Sequence, residues 1–378
     1  MKRLLVTSTD VMMLQFLIPH VNYLRQNGYE VEVACSDVEG HIKELEDIFK
    51  EEVPFTVVNL KRNPFSLLNI EGFKQLKSII YKGHFDIVWT NEPVMGVMTR
   101  LATLSTPKKN RPKIIYIAHG FHFFKGAPMR NWFFFYPIEK LLSYFTNEIV
   151  TINHEDFLFA SRKLNSKKVV YFPGIGINTK KFYKKIDDKT LHNKKKELGL
   201  KDDDIVLLSV GELEKRKNHA TTIEALSKIN HEKIKLFICG VGTQHDVLKE
   251  QIDNLRLQNT VYLLGYRYDI NELFHISDAF VFATFQEGLS VALMEAMSVG
   301  VPCIVSQIRG NVDLIEHDKG IFVNPKEVSS MVEALTKFLR NKNILDEAVK
   351  YNKNKVGEYD IERVMNLLLN EISQLTKQ

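Results

Sequence analysis

Short apolar runs alternate along the chain with segments whose apolar residues recur at three- and four-residue spacing. The runs predict strands at Lys2–Val6, Tyr29–Ala34, Phe55–Val58, Phe85–Thr90, Ile114–Ala118, Glu148–Ile152 and Val169–Phe172. Between them the periodic segments predict helices at Phe16–Asn27, His41–Lys50, Ser66–Tyr81, Val94–Leu104, Phe133–Phe145 and His154–Lys163. Gly28 is the stop signal of the first helix. Pro173-Gly174-Ile175-Gly176 closes this half, and a polar, lysine-rich stretch from Asn178 to Lys196 leads onward. The second half repeats the scheme. Strands are expected at Ile205–Val210, Ile234–Cys239, Val261–Leu264, Ala279–Phe282 and Cys303–Val305, with helices at Ala220–Ile229, Asp246–Leu255 and Ile270–Ile276. From Lys326 the tail reads as three helical pieces, the last from Ile361 to Thr376. Strand–helix alternation with short connections means an α/β chain of two Rossmann-like, doubly wound parallel sheets. The expected divisions are 1–173, 174–357 and a terminal helical segment, 358–378.

The 378 residues are enough for two cores. Composition changes the picture little: 44% hydrophobic and 26% charged residues are ordinary for a globular protein. A net charge of +5 is too weak to argue for nucleic acid; it suits anionic nucleotides or an anionic membrane surface. Cys35, Cys239 and Cys303 lie far apart in apolar runs and read as buried free thiols of a reducing cytosol. The N-terminal apolar run is too short for a signal peptide, and no apolar run reaches membrane-spanning length.

The most informative stretch is Phe285 to Pro302, read as loop, helix and strand entry. Ser290 is a natural N-cap, Gly300 suits the left-handed position after the last turn, and Pro302 blocks continuation. Glu287 then sits before the helix and Glu295 inside it, five residues past Ser290. That spacing is about 7.5 Å along the axis. Two carboxylates flanking open N–H groups suit an elongated ligand with hydroxyls at its ends and an anionic middle. In isolation, a loop support and a solvated helix residue would serve as well. Glu295 among small and apolar neighbours tips the balance, because an ionised carboxylate there needs a partner.

This string resembles the glutamate–seven-residue–glutamate signature of glycosyltransferase family 4. The resemblance implies a retaining, nucleotide-sugar-dependent enzyme of the GT-B fold: two Rossmann-like domains facing across a cleft, with the C-terminal helix crossing back to the first. It implies that Glu287 meets the donor sugar and that Glu295 binds the ribose hydroxyls, with Gly288, Leu289 and Ser290 as substrate-binding residues beside Glu287 and the helix N-terminus at Ser290 facing the diphosphate. Lys217-Asn218 matches the family's diphosphate-binding lysine. Where the family often has arginine after the strand-end glycine, this chain has Glu212. Arg216 is the residue that could supply the second cation. Gly265-Tyr266-Arg267 resembles the loop whose backbone reads the nucleobase. Gly240, in a strand-end loop where glycine lets the backbone approach a ligand closely, is a candidate substrate contact; with Gly242 it lacks the third glycine of a dinucleotide fingerprint. In the first half, His119, at a strand end before Gly120, resembles the family's histidine near the donor sugar. His122 fits no pattern as well. Thr9 and Asp10 occupy the first-strand loop, which lacks the usual glycine pair, while Asn153, Glu155 and Asp156 could face the acceptor. Asp202-Asp203-Asp204 precedes a strand and reads as a solvated turn.

The expected enzyme is therefore a retaining hexosyl- or N-acetylhexosaminyltransferase of capsule or exopolysaccharide type. It would need no metal or other cofactor, and would use a UDP-sugar and a sugar acceptor linked to a polyprenyl diphosphate. Two alternatives remain: a UDP-sugar epimerase of the same fold, and a non-catalytic sugar-nucleotide-binding partner of a synthase, which Glu212 keeps open. Eight of the sixteen residues from Phe121 to Tyr136 are aromatic, with Lys125 and Arg130 among them. Part of that segment is expected in the core. The rest is expected on the cytoplasmic face of an anionic membrane.

Overall fold

The computed structural model describes residues 1–9, 11–37, 53, 55–229, 231–341 and 345–377. The expected helix His41–Lys50 and the candidate Asp10 lie outside the described residues. The chain forms two compact units. One comprises residues 1–175 and 362–378, the other 176–361.

The first unit contains β1 (Lys2–Ser8), β2 (Tyr29–Cys35), β3 (Phe55–Val57), β4 (Ile87–Asn91), β5 (Lys113–Ala118), β6 (Glu148–Thr151) and β7 (Lys168–Tyr171). They form one parallel sheet in the order β3-β2-β1-β4-β5-β6-β7. The order reverses between β1 and β4, which places a topological switch point at their carboxyl ends. Helix Val11–Gln26 starts ahead of the expected Phe16 and tolerates Pro19 inside. The terminal helix Ile361–Lys377 buries a stripe of Val364, Leu368, Ile372 and Leu375. Its residues bond to the first unit: Tyr23 Oη donates to Asn366 Oδ1 at 2.7 Å, and Lys113 Nζ to the Leu375 carbonyl at 2.7 Å.

In the second unit β8 (Ile205–Val210), β9 (Ile234–Cys239), β10 (Val261–Gly265), β11 (Ala279–Phe282), β12 (Cys303–Ser306) and β13 (Ile321–Val323) form a parallel sheet ordered β10-β9-β8-β11-β12-β13. Successive residues bury opposite faces, the mark of a sheet covered on both sides. Leu207, Leu236, Val281 and Ile304 pack with Ile223, Met331 and Phe338. On the other face Val206, Leu208, Phe280, Phe282 and Val305 meet Leu293, Met294 and Met297. The switch point here falls between β8 and β11.

Some elements escaped the pattern, among them a strand and a pair of helices. Strand β13 is a three-residue edge, too short to show a period. The lysine-rich stretch expected as a connection folds into helices Thr179–Tyr183 and Asp188–Glu197. The second of these has no buried residue, hence no apolar stripe to reveal it. The Asp187 side chain caps it by accepting from Thr190 N at 2.9 Å, and Lys194 pairs with Asp269 and Glu272. Cys35, Cys239 and Cys303 are buried free thiols, as expected.

Candidate functional site

The loops that follow β8 and β11 meet at the switch point of the second unit. After β8, residues Lys215–Lys217 make a 3-10 turn, and Asn218 takes a left-handed backbone with φ 54°. Asparagine tolerates that conformation, and its Nδ2 holds the turn down on the carbonyls of Ala283 and Pro325, each at 2.9 Å. Lys217 is thereby aimed at Glu287, with Nζ 2.8 Å from Oε1. Both side chains are nearly enclosed, at 11% and 8% exposure. Thr284 Oγ1 donates to the same carboxylate oxygen at 3.0 Å. Arg216 stands farther off, with Nη1 at 3.7 Å, and pairs with Glu212 in solvent. The acid found in place of the family arginine is therefore already neutralised by the neighbour proposed to replace that arginine.

Helix Val291–Val299 begins and ends as its sequence demands. Ser290 Oγ accepts from Leu293 N at 3.2 Å, and Gly300 has φ 93°. Among the described residues, neither Gly288 nor Leu289 donates its N–H to a protein group. The loop is pinned from behind by Gly310, where an added Cβ would stand 2.6 Å from the Gly288 carbonyl. Glu295 is half-buried, and among the described residues its carboxylate makes no hydrogen bond. Burial pushes its carboxyl up to about 7, and the opposing influence is Lys181.

Other candidates are engaged within the fold itself. An added Cβ at Gly240 would lie 2.0 Å from the Gly211 carbonyl, so this glycine serves the close packing of the β9 loop on the β8 loop. Gly242 does the same against Leu213. The Arg267 guanidinium is held by Asp269 and Glu197, with Nε to Asp269 Oδ1 at 2.8 Å. It braces the loop, leaving the backbone of left-handed Gly265 and the half-exposed Tyr266 ring at the surface.

In the first unit, His119 follows β5, and its Nε2 lies 3.0 Å from Asn91 Oδ1. Burial, with a contribution from His20, pushes the imidazole down to about 4. Thr9 is buried, and its N–H donates to Glu92 Oε2 at 2.6 Å, so a carboxylate already takes the donor that a phosphate would need. Asn153 and Asp156 are also buried. Asn153 caps the His154–Lys163 helix, and Asp156 Oδ2 accepts from Phe121 N at 2.9 Å. Glu155 Oε1 accepts from Lys125 N at 2.8 Å. These three side chains organise the loop after β5. The His122 ring lies 4.7 Å from that of Phe135.

The aromatic segment divides. Phe121 and Phe123 are buried, and Trp132, Tyr136 and Phe159 pack around Phe123. Helix Met129–Ser143 is anchored beneath by Glu139, whose two oxygens accept from the buried Arg100, each at 2.9 Å. Its outer side exposes Phe133 (75%) and Phe134 (50%), and Phe134 touches Phe65 (76%) edge-on at 6.1 Å.

Thr284 and Asn91 carried no motif in the sequence, and Asn218 entered it only beside Lys217. The legible signal of Thr284 and Asn91 is position at the carboxyl end of a strand.

The sequence profile described as Glycosyl transferase 4-like matches residues 4–153, and that described as Glycosyl transferases group 1 matches residues 192–356. EpsD of Bacillus subtilis (strain 168), named as a glycosyltransferase, is 32% identical over 327 residues, covering 85% of this chain and 83% of that protein. The chain belongs to the group 1 glycosyltransferases. A second relative of this glycosyltransferase is the UDP-Gal:alpha-D-GlcNAc-diphosphoundecaprenol alpha-1,3-galactosyltransferase of Escherichia coli. It is 27% identical over 341 residues, covering 88% of this chain and 86% of the other. In fold, the glycosyltransferase matches Anabaena Alr3699/HepE, solved with UDP and glucose, at TM-score 0.80 and 16% identity over 99% of this chain and 100% of that one. It matches sucrose-phosphate synthase from Thermosynechococcus elongatus at 0.81 and 13%, over 99% of each chain. The fold is GT-B. No helix among the described residues is long and apolar enough to cross a membrane.

Proposed function

We propose that this glycosyltransferase moves a sugar, with retention, from a UDP-sugar to a sugar carried on a polyprenyl diphosphate, in the building of a cell-surface polysaccharide. The observation that carries the reading is the Lys217–Glu287 pair at the strand ends, beside the Gly288 and Leu289 N–H groups, which bond no protein group among the described residues. Lys217 and the N-terminus of the Val291–Val299 helix stabilise the departing diphosphate, a positioned charge that costs no reorganisation. Glu287 receives hydroxyls of the donor sugar. Glu295, whose carboxylate has no hydrogen bond among the described residues, receives those of the ribose. The backbone of Gly265 and Tyr266 meets the base, and His119 offers a ring nitrogen to a substrate hydroxyl. Positive charge at the diphosphate comes from the chain itself, so the reading calls on no metal.

The acceptor class rests on relatives. Besides the Escherichia coli enzyme, the N,N'-diacetylbacillosaminyl-diphospho-undecaprenol alpha-1,3-N-acetylgalactosaminyltransferase of Campylobacter jejuni is 23% identical over 91% of this chain. An acceptor of that kind sits in a membrane. The exposed ridge of Phe133, Phe134 and Phe65, with exposed Arg130 on the same helix as Phe133, suits an anionic cytoplasmic leaflet.

The deciding experiment incubates the protein with UDP- and GDP-sugars, with and without a lipid-linked sugar. Acceptor-dependent release of UDP is expected. Epimer formation, or binding without release, would overturn the reading. Sedimentation with anionic vesicles tests the membrane face: Phe133→Ser/Phe134→Ser should stay in the supernatant. Wild-type protein that ignores such vesicles at low salt, and uses a water-soluble acceptor equally well, would refute it.

A further inference from the structure

Asn91 ends β4 and His119 follows β5, so both stand at the carboxyl edge of the first sheet. Asn91 is fully buried, and both ends of its amide are determined by chemistry. Its Nδ2 faces the Thr7 carbonyl at 3.1 Å, a group that only accepts. Its Oδ1 faces the Trp89 indole N–H at 3.2 Å, a group that only donates. The amide has one orientation compatible with both. Its oxygen is also what His119 Nε2 meets, at 3.0 Å. A ring nitrogen opposite an oxygen that carries no hydrogen has to bear the proton. The titratable group that acts on this imidazole is His20, on the Val11–Gln26 helix, and its influence disfavours a second proton. The ring is neutral at pH 7, with its lone pair on Nδ1. No protein group among the described residues bonds Nδ1.

We propose that Asn91 is a positioning residue that holds His119 as the Nε2-protonated tautomer, so that Nδ1 accepts a hydrogen bond from a substrate hydroxyl. The substrate half rests on the reading of His119 given above; the tautomer half does not. The sequence offered no hint of it, because Asn91 lies in no motif and meets His119 only through the pairing of β4 with β5.

The test is long-range 1H–15N correlation on full-length protein labelled at histidine, with His119→Gln to assign the signals. A protonated Nε2 and an unprotonated Nδ1 are expected at pH 7. A protonated Nδ1, a doubly protonated ring or an averaged mixture overturns the proposal. Asn91→Leu removes the acceptor and should release the ring into a tautomer mixture; an unchanged pattern overturns it. Should that variant not fold, Asn91→Asp carries the test. A carboxylate opposite Nε2 should raise the His119 titration and shift the pH profile of transfer with it, while an unmoved titration overturns the proposal. The expected tautomer combined with full transfer by His119→Gln would support the Asn91 half and overturn the substrate half.

Discussion

Glu295 offers the sharpest prediction, because its carboxylate is half-buried, unbonded and titrates near neutrality. Burial raises it to about 7, so at pH 7 about half the molecules without ligand carry the proton. If ribose hydroxyls donate to it, the ionised form is stabilised and its titration falls back toward the ordinary carboxylate range. UDP binding should then release about half a proton at pH 7, about 0.9 at pH 6 and about 0.1 at pH 8. Calorimetry in two buffers of different ionisation enthalpy measures that release. The phosphate of UDP titrates in the same region, but equally for wild type and Glu295→Gln, so the difference between them isolates the carboxylate. Affinity gives a second reading. Losing a charge-assisted hydrogen bond costs about 1.5–3 kcal/mol, so Glu295→Ala should weaken UDP roughly ten- to 140-fold. A third reading comes from stability. A raised carboxylate binds more protons folded than unfolded between about 4.5 and 7, so its unfavourable effect sets in as pH rises through that window. Melting of Glu295→Gln without ligand should therefore gain on wild type from pH 5 to pH 8. Equal UDP affinity in Glu295→Ala, or equal proton release in Glu295→Gln, would refute the assignment.

Lys217→Ala should reduce transfer far more than Arg216→Ala, since Lys217 is enclosed against Glu287 while Arg216 is 45% exposed and spent on Glu212; initial rates at saturating donor decide it. Glu139→Ala should cost about 3–5 kcal/mol in denaturant unfolding, because it strands a buried guanidinium. Glu148 is raised to about 7 by burial and by Glu371 of the terminal helix. Its stabilising share is lost as pH rises from 4.5 through 7, so Glu148→Gln should flatten the melting temperature over that range. An unchanged slope would show that Lys168, 4.0 Å away, already compensates the charge.

The strands and capped helices were legible because their signals are local. Ile205–Val210, Ile234–Cys239, Ala279–Phe282 and His154–Lys163 lie where the apolar pattern put them. Ser290 and Gly300 bound their helix for reasons contained in those two residues. The Asp188–Glu197 helix was not legible, because its support comes from Asp269 and Glu272, dozens of residues away. The division of the aromatic segment was equally hidden. Phe123 and Phe134 look alike in sequence, and only contact with Trp132 and Phe159 sends the first inward.

By itself, then, the sequence determined the alternation of elements, the two sheets and the chemical types gathered at strand ends, since period, capping and turn chemistry act over a few residues. The tertiary structure decided which of those groups are available. Arg267, Thr9 and Asp156 have bonds filled by the distant Glu197, Glu92 and Phe121, and Asn153 is spent on its own helix cap, while among the described residues the Glu295 carboxylate has no hydrogen bond. A residue's reactivity depends on what surrounds it in space. In a parallel sheet those neighbours come from strands far apart in the chain, which is why Asn91 and His119 could meet only after folding.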